Sequence, residues 1–125
     1  MKTKIKVLLL DDEPIVVERV KSSLEIAGYH VDSFTSSRDA IDMLKKEKYD
    51  ILITDLKISS PDGMEVLKSA KLIQPNIKPV VITGFATSQT AEFAKKMGAV
   101  EFIPKPFKMS QLKKILNAIS GAEVK

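Results

Sequence analysis

The chain of 125 residues contains no cysteine. That absence excludes a disulfide framework and a thiolate metal site, and it fits a reducing compartment. Long apolar runs are missing too. The most hydrophobic stretch, Ile5-Lys6-Val7-Leu8-Leu9-Leu10, is too short to span a bilayer and lacks the small-residue cleavage site of a secretory signal. A soluble, cytoplasmic protein with no membrane partner is expected. The net charge is +4, but no concentrated basic stripe accompanies it. Lysines are scattered, with pairs at Lys45-Lys46, Lys95-Lys96 and Lys113-Lys114, which suits solvated helix faces better than nucleic-acid binding. The lone histidine, His30, falls in a strand-like segment and reads as structural, not as a ligand or catalytic base.

What is present is a regular alternation. Residues 5–10 suit a strand buried on both faces. Asp11-Asp12-Glu13 interrupts the run, and Pro14 fits the first turn of a helix, where its missing N–H costs nothing. Val16, Val20, Leu24 and Ala27 recur at helical spacing, with Gly28 as a stop. Residues 30–34 alternate like a short strand, and Ser36 or Ser37 can cap a second helix carrying Ala40, Ile41 and Leu44. Residues 51–54 form the next buried strand, ending in Asp55. A loop containing Ser59, Ser60, Pro61, Asp62 and Gly63 follows. Met64, Leu67, Ala70 and Lys71 mark a third helix, closed near Pro75. Residues 79–82 are a strand leading to Thr83-Gly84, residues 88–97 a helix stopped by Gly98, and residues 100–103 the last strand before Pro104-Lys105-Pro106. Leu112, Ile115, Leu116 and Ile119 make an amphipathic final helix.

Five strands alternating with five helices predict a doubly wound α/β fold: a parallel sheet with helices on both faces and right-handed crossovers. One domain over residues 1–125 is expected, with a core of about 5–119 and a frayed tail over 120–125.

In such a sheet all strand ends point the same way, and ligands bind beyond the carboxyl ends at a switch in strand order. Asp11-Asp12, Asp55, Thr83 and, through Pro104, Lys105 should therefore converge. Crowded carboxylates repel unless protons or a cation intervene. A hard divalent cation such as Mg²⁺ suits oxygen ligands and keeps several waters. Asp55 can act as a carboxylate nucleophile toward phosphorus. A metal and Lys105 would neutralise phosphoryl oxygens, to one of which Thr83 can donate. Each group alone has an ordinary reading: acids open helices, and threonines and lysines populate turns. Complementary groups on four strand ends, in order, favour the site.

With these residues assembled, the chain resembles the receiver domain of two-component response regulators, and chemotaxis-type single-domain receivers in particular. The resemblance runs from Ile5 to about Ile119. It rests on Leu10-Asp11-Asp12-Glu13-Pro14, on Asp55-Leu56 through Asp62-Gly63, on Thr83-Gly84 and on Lys105-Pro106-Phe107. It implies a flavodoxin-like (βα)5 fold with strand order 2-1-3-4-5. Asp55 would be the phosphoacceptor, with Asp12 and Asp55 binding Mg²⁺ directly, Asp11 through water, and the Lys57 carbonyl as a further ligand. Lys105 and Thr83 would contact the phosphoryl group, and Phe102 would be the switch aromatic. A cis Lys105-Pro106 bond is also implied. The phosphodonor would be a sensor histidine kinase or a histidine phosphotransfer protein. Output, to a partner or a self-dimer, would use the fourth helix, fifth strand and fifth helix. Phe93 is expected either on that face or in the core.

Two positions depart from the family pattern. Ser59 stands where proline is usual, with Pro61 two residues later. Phe102 stands where tyrosine is frequent, which favours packing over hydrogen bonding as the readout. Besides the switch, three other functions are compatible with parts of the pattern: a phosphorelay carrier, an Asp-nucleophile phosphatase, and an interaction module without phosphorylation. Lys57, where such phosphatases place a second Asp, argues against an enzyme acting on outside substrates. The complete constellation argues against a module that is never phosphorylated.

Overall fold

The computed structural model describes residues 4–56, 62–84 and 86–121. Ten elements follow one another: β1 (Lys6–Leu10), α1 (Pro14–Ile26), β2 (His30–Phe34), α2 (Ser37–Leu44), β3 (Ile51–Thr54), α3 (Gly63–Ile73), β4 (Lys78–Thr83), α4 (Ser88–Lys96), β5 (Glu101–Pro104) and α5 (Met109–Ser120). The strands form one parallel sheet in the order β2-β1-β3-β4-β5, as expected. Among the described residues no helix is long and apolar enough to cross a membrane.

The period-two pleat explains why the strands read as unbroken apolar runs. Val7, Leu9, Ile51, Ile53, Val80, Ile82 and Ile103 pack on one side with Val17, Val20 and Leu24 of α1 and Leu112 and Leu116 of α5. Leu8, Leu10, Leu52 and Val81 pack on the other with Ala40 and Leu44 of α2, Val66, Leu67 and Ala70 of α3, and Ala94 of α4. Each strand thus feeds two cores. Truncating a buried leucine such as Leu52 to alanine should cost about 2–5 kcal/mol.

Local chemistry sets the element ends. Pro14 occupies the first turn of α1, and the Ser36 hydroxyl, not that of Ser37, accepts from the Asp39 N–H to start α2. Asp62 caps α3 through the Glu65 N–H at 3.0 Å. Thr87 and Thr90 form a reciprocal capping box on α4. Gly28 and Gly98 have φ of 101° and 99°, the left-handed region that lets the chain leave a helix.

Several details differ from the sequence reading. Ala27 lies past the end of α1, and Val17, not Val16, is the buried residue of its first turn. β5 begins one residue later than expected: Val100 is 45 % exposed, although its N–H still donates to the Pro79 carbonyl at 2.8 Å. Lys71 is not a core-stripe residue. Its ammonium donates to the carbonyls of Pro75 and Ile77 beyond α3. His30 sits at the amino end of the edge strand β2, exposed and 3.4 Å from Asp32. That is the end of the sheet opposite the strand ends singled out above.

Candidate functional site

Backbone hydrogen bonds continue past the strand ends and bring the expected residues together. The Asp11 N–H donates to the Phe34 carbonyl at 3.2 Å, the Asp55 N–H to the Leu10 carbonyl at 3.3 Å, and the Lys105 N–H to the Thr83 carbonyl at 2.9 Å. Buried polar residues concentrate here. Asp11 is 3 % exposed, Asp55 6 % and Thr83 0 %, with Thr54 beside them.

The Lys105 ammonium is the hub. Its Nζ donates to Asp11 Oδ2 at 2.9 Å, Asp55 Oδ2 at 2.9 Å and Glu13 Oε1 at 3.2 Å. An ammonium has three N–H donors, so each carboxylate takes one. The Glu13 N–H in turn donates to the other Asp11 oxygen at 2.9 Å. Burial raises the Asp11 carboxyl above its usual range, and its hydrogen bond to Lys105 offsets only part of that rise. Burial pulls the Lys105 ammonium the other way, but its bonds to Asp11 and Asp55 outweigh burial and hold its pKa above the ordinary value. The pocket is therefore anionic around one fixed cation.

Gly63 has a structural role that the sequence shows only as a turn signal. A Cβ there would lie 2.1 Å from the Asp55 carbonyl oxygen and 2.4 Å from Leu56 Cα. The Gly63 N–H also donates to the Leu56 carbonyl at 3.1 Å. The start of α3 thus lies flush against the backbone that carries Asp55, and the Thr54 hydroxyl binds the Asp55 carbonyl at 3.1 Å.

The structure brings Asp11, Asp55 and Lys105 into contact and sets Thr83 at the adjoining strand end. Asp12, by contrast, is exposed. Among the described residues, Asp11, Glu13 and Asp55 each bring one carboxylate oxygen within 4.8 Å of the other two. Nothing in the sequence sets Glu13 apart, because acids at a helix start are common. Its longer side chain reaches Lys105, while Asp12 between them faces water. The Lys57 carbonyl, Ser59 and Pro61 lie outside the described residues, as does Phe85 next to Thr83-Gly84. Phe102 is partly buried and packs against the α2–α3–α4 side of the sheet. Phe93 is 44 % exposed on α4, so it is not a core residue, whereas Met97 one turn on packs on the core. The Lys105-Pro106 bond is cis.

A family model described as "Response regulator receiver domain" matches residues 7–117. Among curated proteins, the chain is 32 % identical to chemotaxis protein CheY of Thermotoga maritima, over 92 % of this chain and 97 % of that one. It is 28 % identical to sporulation initiation phosphotransferase F of Bacillus subtilis, over 86 % and 87 %. It spans about a quarter of the length of several transcriptional regulatory proteins that it also matches. Among solved structures, a response regulator receiver domain protein from Clostridium thermocellum superposes with a TM-score of 0.87 at 30 % identity, covering 94 % of each chain.

Proposed function

Because the chain belongs to the response regulator receiver domain family, we propose that it is a phosphorylation switch in which Asp55 accepts a phosphoryl group from a phosphohistidine donor. The observation that carries this reading is the nearly buried Asp55 carboxylate held 2.9 Å from the Lys105 ammonium and beside Asp11. A carboxylate oxygen so placed can attack phosphorus as the donor imidazole leaves, giving an acyl phosphate. Lys105, freed from a carboxylate, would donate to a phosphoryl oxygen, and the buried Thr83 hydroxyl to another.

The donor set fits a hard cation. Three carboxylates with oxygens within 4.8 Å offer the ligand type that Mg²⁺ prefers. Asp12, turning in from solvent, and Asp55 would hold it directly and Asp11 through water, with the Lys57 carbonyl completing the protein's share. When bound, Mg²⁺ would neutralise charge on the transferring oxygens. The chain's own residues do the rest. Gly63 fixes the backbone at Asp55, Lys105 balances the carboxylates, and Thr83 links the pocket to β4. The domain is not an enzyme for outside substrates in this reading. The partners are a sensor histidine kinase or a histidine phosphotransfer protein on the donor side, and an output protein or second copy on the α4–β5–α5 face, all in the cytoplasm.

A second reading, a relay carrier that passes phosphate onward to a histidine, draws support from the phosphotransferase among the full-length relatives. Reverse transfer to a purified phosphotransfer protein separates the two.

Intact-mass spectrometry after acetyl phosphate with Mg²⁺ tests the core proposal. The expected result is one phosphoryl adduct in the parent and none in Asp55→Asn. An equal hydroxylamine-sensitive adduct in Asp55→Asn would place the acceptor elsewhere.

A further inference from the structure

Glu13 is the N-cap residue of α1, yet its side chain makes no capping hydrogen bond. It reaches instead to Lys105, 92 residues along the chain. Its carboxylate is also unlike the other two on that ammonium. The side chains of Asp11 and Asp55 are 5 % and 7 % exposed, and that of Glu13 is 63 %. Glu13 and Lys105 both line a groove of about 570 Å³ that runs between Val16 of α1 and Met109 of α5. The Glu13–Lys105 contact is thus the outermost of the three, on the water side, and the longest. The first contact to give way when Lys105 moves should be this one.

Resting on the reading of Asp55 as acceptor, we infer that Glu13 is a positioning residue acting through Lys105: it holds the third N–H of the ammonium and keeps it seated over the Asp11–Asp55 pair until a phosphoryl group draws it away. The seated ammonium occupies all three donors on carboxylates, so it has none for a phosphoryl oxygen. As the donor approaches, and before Asp55 is esterified, a phosphoryl oxygen can reach the ammonium only if one of these contacts is lost. Until Asp55 is esterified, moving the ammonium off Asp11 or Asp55 would leave a buried carboxylate unpaired, which is costly. The exposed Glu13 carboxylate regains water and loses little. Glu13 thus sets a small barrier against switching.

Two measurements test this. In the first, ¹H–¹⁵N spectra of lysine side chains should show a slowly exchanging Lys105 ammonium in the parent. In Glu13→Gln the exchange should speed up, and in Glu18→Gln, an exposed acid on the same helix, it should stay as in the parent. In the second, phosphorylation by acetyl phosphate is followed at saturating Mg²⁺, so that metal affinity does not enter. Glu13→Gln should be about two- to fivefold faster than the parent, the size expected of an exposed ion pair. Placed in a Lys105→Ala background, the same substitution should change nothing. An unchanged Lys105 exchange rate in Glu13→Gln, a slower phosphorylation, or a gain that persists without Lys105 would each overturn the inference. If the parent takes no adduct on Asp55, the acceptor assignment fails, and the exchange measurement still decides the Glu13–Lys105 contact by itself.

Discussion

The two ends of the sheet solve the same problem in opposite ways. Both must satisfy polar groups where strands meet loops. At the amino end, the Gln74 amide donates to the carbonyls of Leu44 and Glu47 at 2.8 and 2.7 Å and accepts from the Tyr49 N–H at 2.9 Å. One neutral side chain ties the end of α2 and the entry to β3 to the end of α3. The buried Tyr49 hydroxyl donates to Asp32 at 2.5 Å, and Lys78 closes α5 through the Ile119 carbonyl at 2.7 Å. At the carboxyl end, one ammonium faces three carboxylates. The first arrangement is neutral at its centre and has a partner for each group. The second carries an excess of negative charge that a cation and a phosphoryl group can redistribute. On the proposed function, one end stays as it is and the other changes.

Breaking the carboxyl end should abolish chemistry. Asp12→Ala is expected to lose most Mg²⁺ affinity and nearly all phosphorylation, since it deletes a charge from the proposed hard-cation site. A Mg²⁺ titration that matches the parent would move the cation to Asp11, Glu13 and Asp55 alone. Gly63→Ala forces a Cβ into the Asp55 carbonyl and should cost about 3 kcal/mol together with much of the phosphorylation rate. Denaturant unfolding and adduct formation measured on the same sample would show both losses.

Breaking the amino end should cost stability alone. Gln74→Ala leaves two carbonyls and an N–H without their partner and is expected to lose about 2 kcal/mol, while the folded fraction phosphorylates at the parent rate. The same end also fixes an alkaline limit. Burial first, and the Asp32 hydrogen bond next, raise the Tyr49 phenol above its ordinary 10.0. The folded state therefore favours the neutral phenol, and the unfolded chain ionises first. This contribution is fully present below pH 10 and is lost as pH rises beyond it. Unfolding midpoints measured across that range should fall in the parent and fall less steeply in Tyr49→Phe. The smallest effect is expected at Lys57 and Phe85, two residues past Asp55 and Thr83. Alanine at either should shorten the phosphoryl lifetime several-fold at most, on the reading from sequence position that a long or aromatic side chain there would crowd the path of water. Equal decay rates would remove both from the account.

The sequence makes the carboxyl end far more legible than the amino end. Asp11, Asp55, Thr83 and Lys105 announce themselves because each follows an apolar run, and parallel strands align their ends. The two-sided core is legible for the same reason, since strands buried on both faces show no polar alternation. Gln74 leaves no such signal: a single amide near a proline looks like any loop residue, and its three partners are backbone atoms. Glu13 was hidden by its own ordinariness at a helix start, and only the long-range contact to Lys105 distinguishes it from Asp12. Periodicity leaves Phe93 open, because Met97 lies one turn on from it and packs on the core while the neighbouring Ala94 is fully buried.

The contrast between the ends is tested most directly by backbone chemical-shift mapping with and without beryllium trifluoride and Mg²⁺. The account predicts large shifts at Asp55, Thr83, Phe102 and along α4, Phe93 included, as the pocket closes and the populations of two states change. It predicts almost none at Leu44, Tyr49, Gln74 and Ile77. Shifts confined to α1 and α2, with Phe102 and α4 silent, or shifts at Gln74 as large as those at Thr83, would contradict it.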